Sequence, residues 1–390
     1  MSVAGSQAQT FLRLLALLRP RLRTESALPR TIQSLLAGER RFGSRDRRLY
    51  RELIYTTLRY LPWIEPLLDP EPEEAVRRVA WLAAELPATR IFRVAFATGQ
   101  PPAGDYAELL PSWFKAHCPD VFTPAELAAQ LRRAPLWLRF QTDPAGRTSV
   151  LQEFAGRGWT GQESTLLADA YELRGEVDVT QTAAWQEGRV EVQDLGSQLL
   201  LPAAGVTSGE TWLDACAGAG GKTLQLARIL GPTGRVDAHD IRPAALEELR
   251  TRATRAGLRN VRIVSSPTAG GYDGVLVDAP CSGSGTWRRS PHLKWCTTPE
   301  KIAERATLQS KLLAQFAASV RPGGRLVYAT CSLSRYENEE VVATFLAAHP
   351  EFESTPLAQS FGYTPTGGGL TLRPARHDTD GYFVAALRRR

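Results

Sequence analysis

From about Gly196 onward the chain alternates strand-like and helix-like segments, and this alternation constrains its fold more than any other feature. "TWLDAC" precedes "GKTLQLARIL", "RVDAHD" precedes "PAALEELRTRATRAG", and "VRIVS" leads through a short link into "YDGVLVDAP". The long helical segment "PEKIAERATLQSKLLAQFAASV" then precedes "GRLVYATCS", the helix "YENEEVVATFLAAHP" and the closing strand "DGYFVAALRRR". Buried-type strands alternating with helices specify a parallel, doubly wound α/β sheet. Ligands of such sheets gather at the carboxyl ends of the strands. The chemistry-bearing residues of this chain lie at those ends.

The N-terminal third has a different period. "FLRLLALLRPRL", "LPRTIQSLLAGER" and "SRDRRLYRELIYTTLRYLPWIEPLL" carry apolar residues at three- and four-residue steps, which predicts helices. Ser44 is the expected N-cap of the last of these, with Asp46 in its first turn. From about Pro135 to "WQEGRVEVQD" the segments shorten and alternate, which predicts a small α/β unit. A chain of 390 residues exceeds one ordinary core. The expected division is therefore residues 1–133, all helical; 134–190, small α/β; and 191–390, the doubly wound sheet.

Charge is unevenly spread. Residues 1–60 hold twelve arginines and four carboxylates, an excess of +8 in a chain whose total is +6. A basic module on a near-neutral body suits a polyanion, against a solvated basic face in an arginine-preferring proteome, and Arg45, Arg47 and Arg48 are its candidate nucleic-acid contacts. Five cysteines without a CxxC pair and five scattered histidines predict neither a disulfide framework nor a metal site. "FLRLLALLRP" is too short for a membrane span and is interrupted by Arg13. A cytoplasmic protein with no membrane partner is expected.

"WLDACAGAGGKT" joins a strand, Asp214, and a glycine-rich turn opening a helix. A phosphate loop would need glycine at Cys216, and the dinucleotide spacing G-x-G-x-x-G also fails. An acid four residues before a G-x-G pair instead fits a loop for S-adenosylmethionine. Cys216, Ala217, Gly218, Ala219, Gly220, Gly221 and Lys222 would line it. Asp240 closes the next strand and is placed to accept the two ribose hydroxyls; Asp237 is its structural rival.

"DAPCS" and "ATCSL" put Cys281 and Cys331 after two strands that should be neighbours. A buried cysteine is ordinarily inert, but two thiols beside a methyl donor suit carbon methylation of a pyrimidine. A thiolate adding to carbon 6 of cytosine makes carbon 5 nucleophilic. The thiolate needs an electropositive setting, and Asp278 is placed to serve ring nitrogen 3 if burial or a shared proton makes it a donor. Spacing does not reveal which thiol attacks.

Together these stretches resemble the RsmB/Sun family of RNA (cytosine-5) methyltransferases. "DACAGAGGKT", "DAPCSGSGTWRRSPHLKW" and "PGGRLVYATCSL" are similar to its first, fourth and sixth motifs, "VQDLGSQLL" to the start of its catalytic domain, and "DGYFVAAL" to its last strand. The resemblance covers residues 135–390 and, more weakly, "GSRDRRLYRELIYTTLRY". It implies a Rossmann-like class I methyltransferase sheet, a small α/β linker domain and an N-terminal, all-helical NusB-like RNA-binding domain. It further implies Cys331 as nucleophile, Cys281 as the thiol that assists product release, and catalytic roles for Asp278 and Lys222. Asp278 also joins the cofactor contacts. Ribosomal RNA is the implied partner, with transfer RNA the alternative. A catalytically silent RNA-binding ribosome-assembly factor is the competing function.

Two departures stand out. Ala219 replaces the family's usual proline, and Ser265 or Ser266 stands where an aspartate is usual. In "TWRRSPHLKW", Arg288, Arg289 and Lys294 beside Trp287 and Trp295 suggest further RNA contacts, against a turn packed by its tryptophans.

Overall fold

The computed structural model describes residues 2–175 and 177–390. It divides into two compact units, Met1–Arg133 with Thr286–Pro299, and Ala134–Gly285 with Glu300–Arg390. The segment Thr286–Pro299, expected within the 191–390 domain, thus folds with the helical unit.

In the helical unit, Val3–Leu18, Leu28–Gly38, Ser44–Arg59, Pro72–Leu82 and Arg90–Phe96 are the main helices. Their apolar stripes bury Phe11, Leu14, Ile32, Leu53, Leu58, Val79 and Phe92 in one core. Two sequence expectations change here. The N-cap is Gly43 rather than Ser44, because Asp46 reaches back to accept the Gly43 N–H at 3.0 Å. The helix also stops at Arg59 instead of running on to Leu68, and a separate turn spans Leu61–Ile64. Pro62 enforces that break, because its ring removes a donor and clashes with the preceding turn.

The second unit holds two sheets. Strands β1 (Leu136–Phe140), β2 (Thr160–Glu163), β3 (Ala170–Arg174) and β4 (Val190–Val192) form an antiparallel sheet in the order β2-β3-β1-β4. Pro144–Gly156 is its main helix, capped by Asp143, which accepts the Gly146 N–H at 2.8 Å.

The larger sheet contains β5 (Thr211–Asp214), β6 (Arg235–Ala238), β7 (Val261–Ile263), β8 (Tyr272–Asp278), β9 (Val320–Thr330), β10 (Phe352–Ser354), β11 (Leu370–Leu372) and β12 (Tyr382–Arg389). Its path is β10-β12-β9-β8-β5-β6-β7, with β11 paired to β12. Strands β5 to β9 are mutually parallel, whereas β12 runs antiparallel to β9. This is a Rossmann-like sheet with an antiparallel edge that the alternation alone does not announce. The chain leaves β5 toward β6 on one side and returns as β8 on the other, so the cleft above β5 and β8 is a topological switch point.

The two sheets are joined through charge. Glu191 on β4 is fully buried and accepts from Arg252 and Arg255, each at 2.8 Å, on the helix Pro243–Arg255. Among the described residues, no helix is long and apolar enough to cross a membrane, and no group of three or more His, Cys, Asp or Glu side chains could hold a metal ion.

Removing one member of a buried ion cluster strands the others, at about 3–5 kcal/mol. Glu191→Ala should therefore lower the urea midpoint for unfolding of this unit by an amount equivalent to about 3 kcal/mol. An unchanged midpoint would show that the two arginines find solvent or other partners at no cost.

Candidate active site

The cofactor-type loop begins where β5 ends. Asp214 is buried there, and one carboxylate oxygen accepts from Thr223 Oγ1 at 2.7 Å while the other, Oδ1, has no hydrogen-bond partner. Burial pushes its pKa up to about 7, against the opposing bond from Thr223. Gly218 and Gly220 adopt φ of 55° and 89°, and a Cβ on Gly220 would lie 2.8 Å from both Leu224 and Leu249. The turn therefore requires glycine at that point. At Ala219 the turn is held by hydrogen bonds: Arg252 donates to the Ala219 carbonyl at 2.6 Å and Gly220 N–H bonds the Ala217 carbonyl at 2.9 Å. From the small sheet, buried Arg139 donates to the Gly221 carbonyl at 3.4 Å.

The two candidate acids after β5 separate clearly. Asp237 is fully buried and is bonded by Arg262 at 2.6 and 2.9 Å and by the Tyr272 hydroxyl at 2.8 Å, which makes it structural. Asp240 lies beside the loop and accepts the Gly218 N–H at 2.8 Å. The Arg242 side chain forks onto both Asp240 oxygens at 2.9 Å, and this bond, reinforced by backbone N–H groups, pulls the carboxyl down to about 2. The Arg242 side chain is 66% exposed. Ser265 and Ser266 follow β7 and are both exposed.

At the next strand ends the thiols meet. Asp278 on β8 pairs in register with Ala329 on β9, and Cys281 Sγ lies 3.3 Å from Cys331 Sγ. The turns behind them are interlocked. Gly285 N–H bonds the Cys331 carbonyl at 2.9 Å, Leu333 N–H bonds Ser284 Oγ at 2.9 Å, and Gly381 N–H bonds the Gly285 carbonyl at 2.7 Å. A Cβ on Gly285 would lie 2.0 Å from the Gly381 carbonyl, so this close crossing explains the glycine behind the cysteine.

Lys222 Nζ donates to Asp278 at 2.8 Å. Burial opposes the lysine's charge, but the Asp278 carboxylate outweighs it and holds the ammonium above its ordinary pKa. The Cys331 sulfur's hydrogen bond, together with burial, drives the Cys281 thiol well above its ordinary value. Cys216 is also pushed up, first by burial and then by Asp214.

The sequence signature of the 16S rRNA methyltransferase RsmB/F family matches residues 203–388. The probable ribosomal RNA small subunit methyltransferase B of Bacillus subtilis is 32% identical over 297 residues, covering 72% of this chain and 66% of that protein. Its namesake from Vibrio vulnificus is 32% identical over 301 residues, covering 73% and 67%. The chain belongs to the RsmB/F methyltransferase family. The matches span about two thirds of these relatives' length. The crystal structure of PH0851 shares the fold, with a TM-score of 0.77 at 23% identity over 99% of both chains. A methyltransferase homologue from Pyrococcus horikoshii gives a TM-score of 0.60 at 25% identity, covering 71% of this chain and 93% of that one. The cofactor of the RsmB/F family is S-adenosylmethionine, and the unpartnered Asp214 oxygen beside the glycine cradle fits a group that brings hydrogen-bond donors.

In this RsmB/F chain the proposed RNA contacts after Cys281 need correction. Arg288 and Lys294 are 0% and 2% exposed, which rules out phosphate contact by either in this conformation. Lys294 Nζ donates to the Arg59 and Leu109 carbonyls, both at 3.0 Å, and Trp295 Nε1 to the Leu58 carbonyl at 2.7 Å. Arg288 donates to the Arg133 carbonyl at 3.2 Å, and Trp287 packs on Phe114. These cations satisfy orphan carbonyls at helix ends, so the reading as a turn packed by its tryptophans prevails. Arg289 is exposed. Of the N-terminal candidates, Arg45 and Arg48 are exposed, while Arg47 is half-buried and bonds the Leu36 carbonyl at 3.3 Å.

Burial, with the nearby Arg59 guanidinium, pushes Lys294 from 10.5 down to about 7. Between those values the unfolded chain holds a proton that the folded chain does not, so this residue makes stability rise with pH across that window. Lys294→Met should flatten that rise in urea titrations. Filter binding on the folded variant should show RNA affinity unchanged within about twofold, whereas a loss of a phosphate contact would weaken it more and lower the salt slope by about one.

Proposed function

We propose that this protein transfers a methyl group to carbon 5 of a cytosine in RNA, most simply ribosomal RNA, through a covalent adduct on Cys331. The 3.3 Å pairing of Cys281 and Cys331 sulfurs beside the Lys222–Asp278 pair carries this reading. The names of the relatives, ribosomal RNA small subunit methyltransferases, support the substrate class.

S-adenosylmethionine, when bound, supplies an electrophilic methyl group. The glycine turn Cys216–Lys222 would hold it, Asp240 would accept from its ribose hydroxyls, and the Asp214 oxygen that has no partner would accept a donor. Cys331, as thiolate, adds to carbon 6 of the cytosine. The electron density displaced toward carbon 5 and nitrogen 3 is met at the nitrogen by the Lys222–Asp278 pair. Carbon 5 then takes the methyl group, loses its hydrogen to a base, and the carbon–sulfur bond to Cys331 breaks. Cys281, kept protonated by its neighbour and by burial, is suited to assist that release. Arg45, Arg48 and Arg289 are exposed cations suited to RNA phosphates.

Single-residue variants separate the roles. Cys331→Ala should abolish both methylation and a denaturation-resistant protein–RNA adduct. Cys281→Ala should accumulate that adduct on denaturing gels while turnover falls. Asp278→Asn should lower kcat by about 100-fold, within the range for loss of acid–base assistance. Wild-type turnover by Cys331→Ala would exclude the assigned nucleophile.

A further inference from the structure

A buried carboxylate that the mechanism leaves unused lies directly behind the two thiols. Glu337, in the single turn Arg335–Glu337 after β9, is 0% exposed. Its Oε1 accepts the Ser282 N–H at 2.8 Å and Gln309 Nε2 at 3.0 Å. Its Oε2 accepts Ser332 Oγ at 2.6 Å and also the Ser282 hydroxyl. Ser282 follows Cys281 and Ser332 follows Cys331, so one carboxylate grips the residue adjoining each sulfur. Gln309, on the helix Pro299–Ala317, also donates to the Pro280 carbonyl at 3.1 Å, immediately before Cys281. The Tyr328 hydroxyl bonds the Glu337 carbonyl at 2.5 Å, which anchors the turn itself to β9.

A buried carboxylate is tolerated only when its lone pairs are satisfied. Here four donors do so, and three belong to the two thiol loops. Each loop is thereby fixed to one rigid centre rather than to the other alone. Ser284 Oγ, 3.0 Å from Ser332 Oγ, extends the network without replacing that centre.

We propose that Glu337 is a positioning residue that sets the separation of Cys281 and Cys331 by holding Ser282 and Ser332 together. This role rests on reading the two thiols as the working pair. Displacing a reacting atom by about 1 Å can cost about 100-fold in rate. Glu337→Ala should therefore depress kcat by about that factor and leave KM for S-adenosylmethionine unchanged.

Dibromobimane provides a readout independent of methyl transfer, since each of two close thiols displaces one bromide and the reagent bridges them. Peptide mass spectrometry should find the Cys281–Cys331 bridge in the wild-type chain. In Glu337→Ala, and in the double variant Ser282→Ala/Ser332→Ala, which severs the hydroxyl links while keeping the carboxylate, the bridge yield should drop several-fold. If Glu337→Ala does not fold, the double variant decides. A wild-type bridge yield in either folded variant overturns the proposal. Absence of methylation by the wild-type chain would overturn the proposed function instead, and the bridging result would stand.

Discussion

The parallel pairing of β8 with β9 is the constraint on which the site depends. Because Asp278 and Ala329 are opposite one another, the turns leaving these strands start level. Cys281 follows three residues after Asp278 and Cys331 two after Ala329, and the sulfurs meet at 3.3 Å. Two thiols on adjoining strand ends need no flexible loop to find each other. The glycines behind them let the chain cross Gly381 at a distance no side chain would permit.

The donor loop inherits its place from the same topology. β5 is the other neighbour of β8, so the turn after Asp214 opens beside the one after Asp278. The 2.8 Å bond from Lys222 to Asp278 spans those two turns. Support for the loop comes from afar, through Arg252 on the Ala219 carbonyl and Arg139 on that of Gly221. The small antiparallel sheet is thus part of the scaffold of that loop. It is tied in by Glu191, which binds the same Arg252.

What the sequence disclosed follows the range of the interactions involved. The alternation of apolar runs with helices revealed the doubly wound sheet, and the position of Asp237 inside β6 rather than after it marked it as the structural acid. These are local properties, set within one element. The antiparallel β12 was not legible, because an apolar strand reads alike in either direction. Pro62 could have been read as a helix terminator, but the apolar period on both sides of it masked the break. The cations of "TWRRSPHLKW" resembled a nucleic-acid surface, yet Lys294 and Arg288 are spent on backbone carbonyls distant in sequence. Glu337 escaped notice for the same reason. Its partners Ser282 and Gln309 lie 55 and 28 residues away, and no motif spacing encodes that convergence.

RNA carrying 5-fluorocytidine tests the covalent chemistry most directly, because fluorine at carbon 5 blocks the final hydrogen removal and leaves the nucleotide attached. After incubation of the wild-type protein with this RNA and S-adenosylmethionine, nuclease and protease digestion would release one modified peptide for mass spectrometry. A methylated fluorocytidine on the peptide containing Cys331, with Cys281 unmodified, is the expected result. Attachment at Cys281, or methylation without attachment to either sulfur, would contradict the assignment.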